Sequence, residues 1–287
     1  MDLQETLNAM RRNSIFLNIA GKGTQQRCGT RFGGQPDVPP DFVWPTFRGE
    51  GYDGVVKDRP LTFLAQFNCA DLAKYDTEHQ LPDHGLLSFF YETDTQCWGY
   101  DPSDKGCARV FWFEDTSILS AADFPPDMEE CFRFPTIAIE MKPEWSYPEW
   151  EDFSEREHLL RRDPKQYLAQ SEPFEKARQL LVPEEPMVSS KLLGWPDIIQ
   201  NSMAVECDLV SQGYYLGGKW EEVPEEIRQR AEDTALERWL LLFQLDMVED
   251  DDFELMFGDS GRIYFYITRE DLRERRFDRV WLILQCY

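Results

Sequence analysis

The chain has 287 residues and carries 30 basic against 54 acidic side chains, a formal charge of −24. A field of that sign repels phosphate backbones and anionic lipid, so neither nucleic acid nor a membrane surface is an expected partner. Hydrophobic residues make up 42% and aromatics 14%, which excludes wholesale disorder and favours sheet-rich layers on which flat rings pack.

The N-terminal Met1-Asp2-Leu3-Gln4-Glu5-Thr6-Leu7 lacks a basic segment followed by an apolar one, so no signal peptide is expected there. Residues 2–12 predict a short amphipathic helix, with Leu3, Leu7 and Met10 at helical spacing. Ser14 to Ile19 alternates as a strand would, and Gly21-Lys22-Gly23 reads as a turn. That turn is no phosphate loop, because no Gly-Lys-Ser/Thr follows at the required distance. Residues 31–48 are dense in Gly and Pro yet rich in Phe, Val and Trp, which predicts an ordered loop pinned by its aromatics. Strands are expected near 61–68, 86–92, 108–114 and 131–141, with a boundary loop at 143–153. Residues 154–182 read as helix interrupted by Pro164 and Pro173, closed by Pro183 to Pro186. Residues 221–239 give the strongest helical pattern, with Pro224 suited to its first turn. Residues 240–245 read as a strand, the acidic run 246–254 as an exposed connection, and 262–267 and 279–284 as further strands.

One phrase occurs twice. Gly34-Gln35-Pro36-Asp37 precedes the apolar run Leu61 to Phe67, which carries Gln66, and Gly85 then opens a second apolar-aromatic run. Gly194-Trp195-Pro196-Asp197 likewise precedes Leu240 to Asp246, which carries Gln244, and Gly261 opens the run that follows. These fragments predict an internal duplication. The later strand leaves two alignments open, since 108–113 also matches 262–267. The expected fold class is α+β: two similar, mostly antiparallel β units with peripheral helices. The N-terminal unit would span 1–150, and 151–287 would hold a helical insert plus the second unit, the two fused into one globular body.

The strings Arg31-Phe32-Gly33-Gly34-x-Pro36-Asp37-x-Pro39, Trp44-Pro45, Leu64-Ala65-Gln66-Phe67-Asn68 and Leu81-Pro82-x-x-Gly85 resemble the YwqG-like family of bacterial proteins. So do Leu193-Gly194-x-Pro196-Asp197-x-x-Gln200, Gln244-Leu245-Asp246 and Phe257-Gly258-Asp259-x-Gly261. The resemblance runs from about residue 30 to the end. It implies an α+β fold and a cytosolic bacterial setting, and it carries over no catalytic residue.

Candidate site residues follow from the repeat. Gln66 and Gln244 stand in the middle of apolar strands, where a buried amide must find partners or cost roughly 1–3 kcal/mol. One reading has each glutamine tie down the neighbouring Pro-rich backbone; the other has the pair line a ligand cleft between the repeats, with Arg31, Asp37, Asp197 and Asp259. Aspartates in Pro-Asp and Gly-Asp turns commonly bond backbone amides two residues on. Trp145, Tyr147 and Trp150 in a Pro-bearing stretch are candidates for a partner-binding surface. The acidic run Glu249 to Asp252 fails the EF-hand pattern, lacking Gly at its sixth position and Glu at its twelfth. The seven cysteines (28, 69, 97, 107, 131, 207 and 286) contain no Cys-x-x-Cys pair and are odd in number, so neither a disulfide framework nor a zinc knuckle is expected. His79, His84 and His158 are the only histidines, and no Ser or Cys stands in a nucleophile elbow. The sequence therefore points to no catalytic residues, no metal and no cofactor. A cytoplasmic protein-binding role, with a basic protein as partner, is the leading expectation. An enzyme or small-ligand sensor with a cleft between the repeats is the alternative.

Overall fold

The computed structural model describes residues 2–158, 163–183, 188–218 and 220–287. Among these, seven α-helices and sixteen strands alternate along the chain. The first half holds α1 (Leu3–Met10), β1 (Arg12–Lys22), β2 (Arg31–Phe32), β3 (Asp37–Val38), β4 (Thr46–Glu50), β5 (Val56–Pro60), β6 (Thr62–Asn68), α2 (Cys69–Leu72), β7 (Leu86–Tyr91), β8 (Ala108–Phe113), β9 (Ser120–Ala121) and β10 (Ile137–Ser146). The second half holds α3 (Trp150–Arg156), α4 (Pro164–Leu181), β11 (Ser190–Leu192), α5 (Ala204–Ser211), α6 (Glu225–Arg238), β12 (Trp239–Leu245), β13 (Val248–Asp250), β14 (Phe253–Leu255), β15 (Arg262–Thr268), α7 (Arg269–Arg273) and β16 (Trp281–Gln285). The class is α+β.

Ten strands form one sheet in the order β16-β15-β12-β11-β1-β10-β2-β6-β7-β8. Its pairs are antiparallel throughout. β1 and β10 lie side by side at the centre, Arg12 opposite Ser146. Each is paired on its far side with the half of the sheet remote from it in sequence: β1 with β11, and β10 with β2. The sheet curls until its ends approach. Phe89 of β7 lies 4.7 Å from Phe243 and 5.3 Å from Phe265, centroid to centroid. The turn after β7 docks on the far edge, where Trp98 O accepts from Leu284 N at 3.0 Å and Gly99 O from Trp281 Nε1 at 2.8 Å.

The inner face forms one core containing Phe67, Phe89, Phe243, Phe265 and Ile15. The outer face is covered in two ways. Over β6–β8 lies the Pro-rich loop, with Phe42 5.2 Å from Phe111 and Trp44 5.6 Å from Phe90. Over β12, β15 and β16 lie α5 and α6, packed on Trp239, Leu241, Tyr266 and Ile283. Strands buried on both faces need no polar alternation, which is why β12 reads as a continuous apolar run. A third cluster ties α1 to α3 and α4 through Leu7, Trp150, Phe153 and Phe174.

Several expected boundaries move. Glu130–Phe132 is a 3₁₀ turn, and the strand expected at 131–141 begins at Ile137 and runs to Ser146, into the expected boundary loop. Pro143 is tolerated because only Ile137 of β10 pairs with β2, leaving that edge free beyond it. The expected helix 154–182 is two helices; its residues 159–162 lie outside the described residues, as do 184–186 of the Pro183–Pro186 boundary. Pro173 does not interrupt α4, and Pro164 occupies its first turn, where the missing N–H has no helical partner to lose. The acidic connection 246–254 folds as the hairpin β13–β14, with Val248 and Leu255 buried beneath it. Among the described residues, no helix is long and apolar enough to cross a membrane.

Candidate functional site

The polar residues of the repeated phrase assemble into two clusters. In the first, β2 pairs with β6 so that Arg31 stands opposite Gln66. Gln66 is fully buried. Its Oε1 accepts from Asp37 N at 3.0 Å, and its Nε2 donates to Gly29 O at 2.9 Å and Asp37 Oδ2 at 2.8 Å. Both amide hydrogens are thus used. Asp37 Oδ2 also accepts from Cys28 N at 2.9 Å and Arg31 Nη2 at 3.0 Å. Arg31 donates further to the carbonyls of Gln26, Gly29 and Gln35. Burial lowers the Arg31 pKa, and Asp37 opposes that shift.

The second cluster has the same bonds on different neighbours. β11 pairs with β12 so that Lys191 stands opposite Gln244. Gln244 Oε1 accepts from Asp197 N at 2.9 Å, and its Nε2 donates to Ser189 O at 2.6 Å and Asp197 Oδ2 at 2.8 Å. Lys191 Nζ meets Asp197 Oδ1 at 2.6 Å. Burial pushes the Asp197 carboxyl up, but Lys191, Ser189 and Gln244 outweigh it and hold the group below the ordinary aspartate value. The Asp197 carbonyl accepts from Tyr264 Oη at 2.7 Å and Arg262 Nη1 at 3.2 Å. Arg262 in turn meets Asp246 at 2.5 Å.

These residues hold backbone. Each glutamine staples the Pro-Asp turn that follows a short strand onto the long strand beside it. Asp259 joins neither cluster: it is exposed, and its carbonyl accepts from Tyr287 N at 3.2 Å. The aromatic trio is also divided. Trp145 is 45% exposed beneath the Arg11 guanidinium at 4.3 Å, Tyr147 is half-buried, and Trp150 is only 7% exposed in the α1–α3–α4 core.

Of four cavities on the described surface, none is lined by Arg31, Asp37, Gln66, Asp197, Gln244 or Asp259. The most voluminous of them, about 770 Å³, is a groove among α3, α5 and α6. Glu151 and Glu155 reach it from α3, Glu206 from α5, and Glu225 and Glu232 from α6. Tyr167 and Trp220 supply aromatic walls, and Arg228 and His158 are the basic groups of the lining. Arg228 Nε lies 3.8 Å from Glu232.

Two carboxyls at this groove are unusual. Glu206 Oε2 is shut off from solvent and has no hydrogen-bond partner among the described residues. Burial pushes the Glu206 carboxyl up to about 8. Behind the lining residue Ser202, Asp152 is 1% exposed; its Oδ1 accepts from Ser202 Oγ at 2.6 Å, while Oδ2 is without a partner among the described residues. Burial raises Asp152 to about 6, against the opposing pull of Ser202 and Arg12. The only sequence signal of the groove residues is one shared with any solvated helix face. Glu151 and Glu155, and Glu225, Arg228 and Glu232, recur at helical spacing, and Glu206 is the lone charge in Met203-Ala204-Val205-Glu206-Cys207.

Among curated proteins no relative matches this chain. A family model described as a domain of unknown function, DUF1963, matches residues 30–286, which span both glutamine clusters and the groove, and the chain belongs to that family.

Proposed function

We propose that this is a non-catalytic, cytosolic protein-binding protein of the bacterial YwqG-like type, whose acidic helical groove receives a basic partner. An immunity-type role, in which it neutralises the target by covering it, is the concrete version. The observation that carries this reading is the lining of the groove: five glutamates surround an open volume large enough for partner side chains. The strand polar groups support it from the other side. Gln66, Asp37, Gln244 and Asp197 are occupied by backbone, so they are not gathered around a substrate.

An internal duplication accounts for the paired clusters. Ser88 stands opposite Gln66 as Tyr264 stands opposite Gln244, which favours aligning 86–91 with 262–267. A register shift falls between Phe63 and Ala65 and again between Leu241 and Phe243. On this reading the helices over β12 and β15 are an insertion in the second copy, and they create the binding face the first copy lacks.

The test is affinity capture from host lysate at low and moderate salt, with an equally acidic unrelated bait as control. A basic protein retained specifically by the wild type, and lost from a Glu151→Lys/Glu225→Lys bait, is the expected result. Retention unchanged by the double substitution overturns the assignment to this groove.

A further inference from the structure

The seven cysteines are free in the structure, and two of them meet. The turn after β7 crosses to the far edge of the sheet and returns to β8, and Cys97 and Cys107 flank the part that does the docking. Its own bonds draw the two cysteines together. Tyr91 Oη donates to Cys97 O at 2.9 Å, and Glu92 N donates to Cys107 O at 2.8 Å. Asp104 ties the turn across its middle: Oδ2 accepts from Gly99 N, and its carbonyl from Cys107 N, each at 2.9 Å. The Cys107 thiol, 3% exposed, is hydrogen-bonded to the Cys97 sulfur. That bond and burial push Cys107 well above the ordinary thiol value, so it holds its proton.

Cys97, 9% exposed, is the sulfur that reaches solvent. With Thr95 and Asp104 it lines a second groove, of about 520 Å³. It lies 3.1 Å from Thr95 Oγ1, whose own hydrogen goes to Glu92 Oε2, so Thr95 is an acceptor toward the thiol. The Asp104 carboxylate is hydrogen-bonded to Cys97 as well. Burial raises the Asp104 carboxyl above the ordinary aspartate value, which strengthens it as a proton acceptor. A thiol with a base beside it, an opening to solvent and a second sulfur in contact are the parts an oxidisable pair needs.

We propose that Cys97 and Cys107 are a reversible oxidation site, which a hydroperoxide converts to a disulfide across the turn that closes the sheet. The site goes beyond the partner-binding reading and does not depend on it. In the first step Asp104 takes the Cys97 proton, and the sulfur attacks one peroxide oxygen. The O–O bond breaks, and the departing hydroxide takes the proton from Asp104 and leaves as water. Cys97 is now a sulfenic acid, oxidised by the two electrons that reduced the peroxide. In the second step the Cys107 sulfur attacks the Cys97 sulfur, the S–O bond breaks, and hydroxide leaves as water with the Cys107 proton. Two thiols and one hydrogen peroxide thus give one disulfide and two waters, and a thiol reductant reverses it. Between the two sulfurs lie the Trp98 and Gly99 carbonyls, which accept from Leu284 N and Trp281 Nε1, so oxidation cross-links the segment that holds the ends of the sheet together.

The experiment treats the native full chain with hydrogen peroxide at neutral pH, blocks the remaining thiols and maps tryptic peptides by mass. Trypsin cuts after Lys105, between the two cysteines, so the bond joins separate peptides. The expected product is that linked pair, formed no later than oxidation of the exposed Cys131 and lost on adding dithiothreitol. In Cys107→Ala, Cys97 should stop as a sulfenic acid that dimedone traps; in Cys97→Ala, Cys107 should stay reduced. Asp104→Asn keeps an oxygen for Gly99 N and should slow disulfide formation by about ten-fold or more, with Cys131 oxidation as the internal standard. Circular dichroism of each variant separates loss of the site from loss of the fold. Cys97 and Cys107 both recovered as free thiols once Cys131 is fully oxidised overturn the site, as does Cys97 joined to any other cysteine. Oxidation of Cys107 at an undiminished rate in Cys97→Ala overturns Cys97 as the point of entry. An unchanged rate in Asp104→Asn overturns Asp104 as the base.

Discussion

Replacing Gln66 by leucine tests whether the repeated glutamine is structural. The two side chains are of similar volume, so little cavity opens in a position with no solvent exposure. What changes is the bonding. Asp37 N loses the Gln66 Oε1 acceptor at 3.0 Å and is left as a buried, unpaired donor. Gly29 O loses Nε2 but keeps Arg31 Nη1 at 3.3 Å, and Asp37 Oδ2 keeps Cys28 N and Arg31. One orphaned N–H costs about 1–3 kcal/mol, and the lost bond to a carboxylate adds about 1 kcal/mol or more, so the expected loss is about 2–4 kcal/mol. Gln244→Leu should cost at least as much, because Ser189 O and Asp197 N both lose their glutamine partners. Urea unfolding followed by tryptophan fluorescence reads this directly. With a slope of roughly 3 kcal/mol per M, each midpoint should fall by about 1 M at unchanged slope. A residue retained for a ligand instead leaves stability unchanged or improved when replaced by an apolar isostere. Midpoint losses below about 0.2 M for both variants would refute the structural account.

Other predictions rest on single features. Arg31→Lys should cost about 2–4 kcal/mol in the same assay, because a lysine cannot reproduce bonds to three carbonyls and Asp37 from one planar fork; the milder Lys191→Arg, at a site with one bond, should cost less. Glu149, Asp152 and Glu206 are all raised by burial, to about 8, 6 and 8. A carboxyl whose folded value lies above its unfolded one stabilises the fold below the unfolded value and loses that contribution as pH rises through the folded one. Stability should therefore decline from about pH 5 to pH 8, and Glu206→Gln should flatten the slope by up to about 1.4 kcal/mol per pH unit; equal slopes in melts at pH 5.5 and 7.5 would exclude the effect. Gly99 has φ +83° and sits against the edge strand β16, where an added Cβ would meet the Leu282 carbonyl. Gly99→Ala should lower the melting temperature by several degrees, read by circular dichroism, and a neutral result would show that the docking of this turn on β16 is dispensable.

Much of the sheet was legible because its long strands carry their own signal. β6, β7, β12 and β15 are six- or seven-residue, mostly apolar runs, and the glutamines of β6 and β12 are conspicuous against that background. The partners of those glutamines were not legible. β2 and β11 have two and three residues, too few for any period, and they are strands only because a long neighbour accepts them. The Pro-rich loop was readable as ordered, since Phe42 and Trp44 need something to cover, but not what they cover. The groove was out of reach for a different reason. Its walls come from segments spread over residues 151–232, and helical spacing alone marks Glu151 and Glu155 as an ordinary solvated face. Only the packing of α5 and α6 on β12 and β15 turns those faces toward one another.

The exchange of β1 and β10 at the centre of the sheet has a consequence for synthesis. β1 leaves the ribosome first, bearing Ile15, Phe16 and Leu17, yet its partners are β10 and β11. Ile137 follows Lys22 by 115 residues. At about 5–20 residues per second, a nascent chain waits roughly 6–23 s with this strand unpaired on both edges. An arrested product ending before Ile137 keeps that state permanently, with an apolar strand open to any other chain. The N-terminal half is thus a natural substrate for a holding chaperone until its central neighbour has been made.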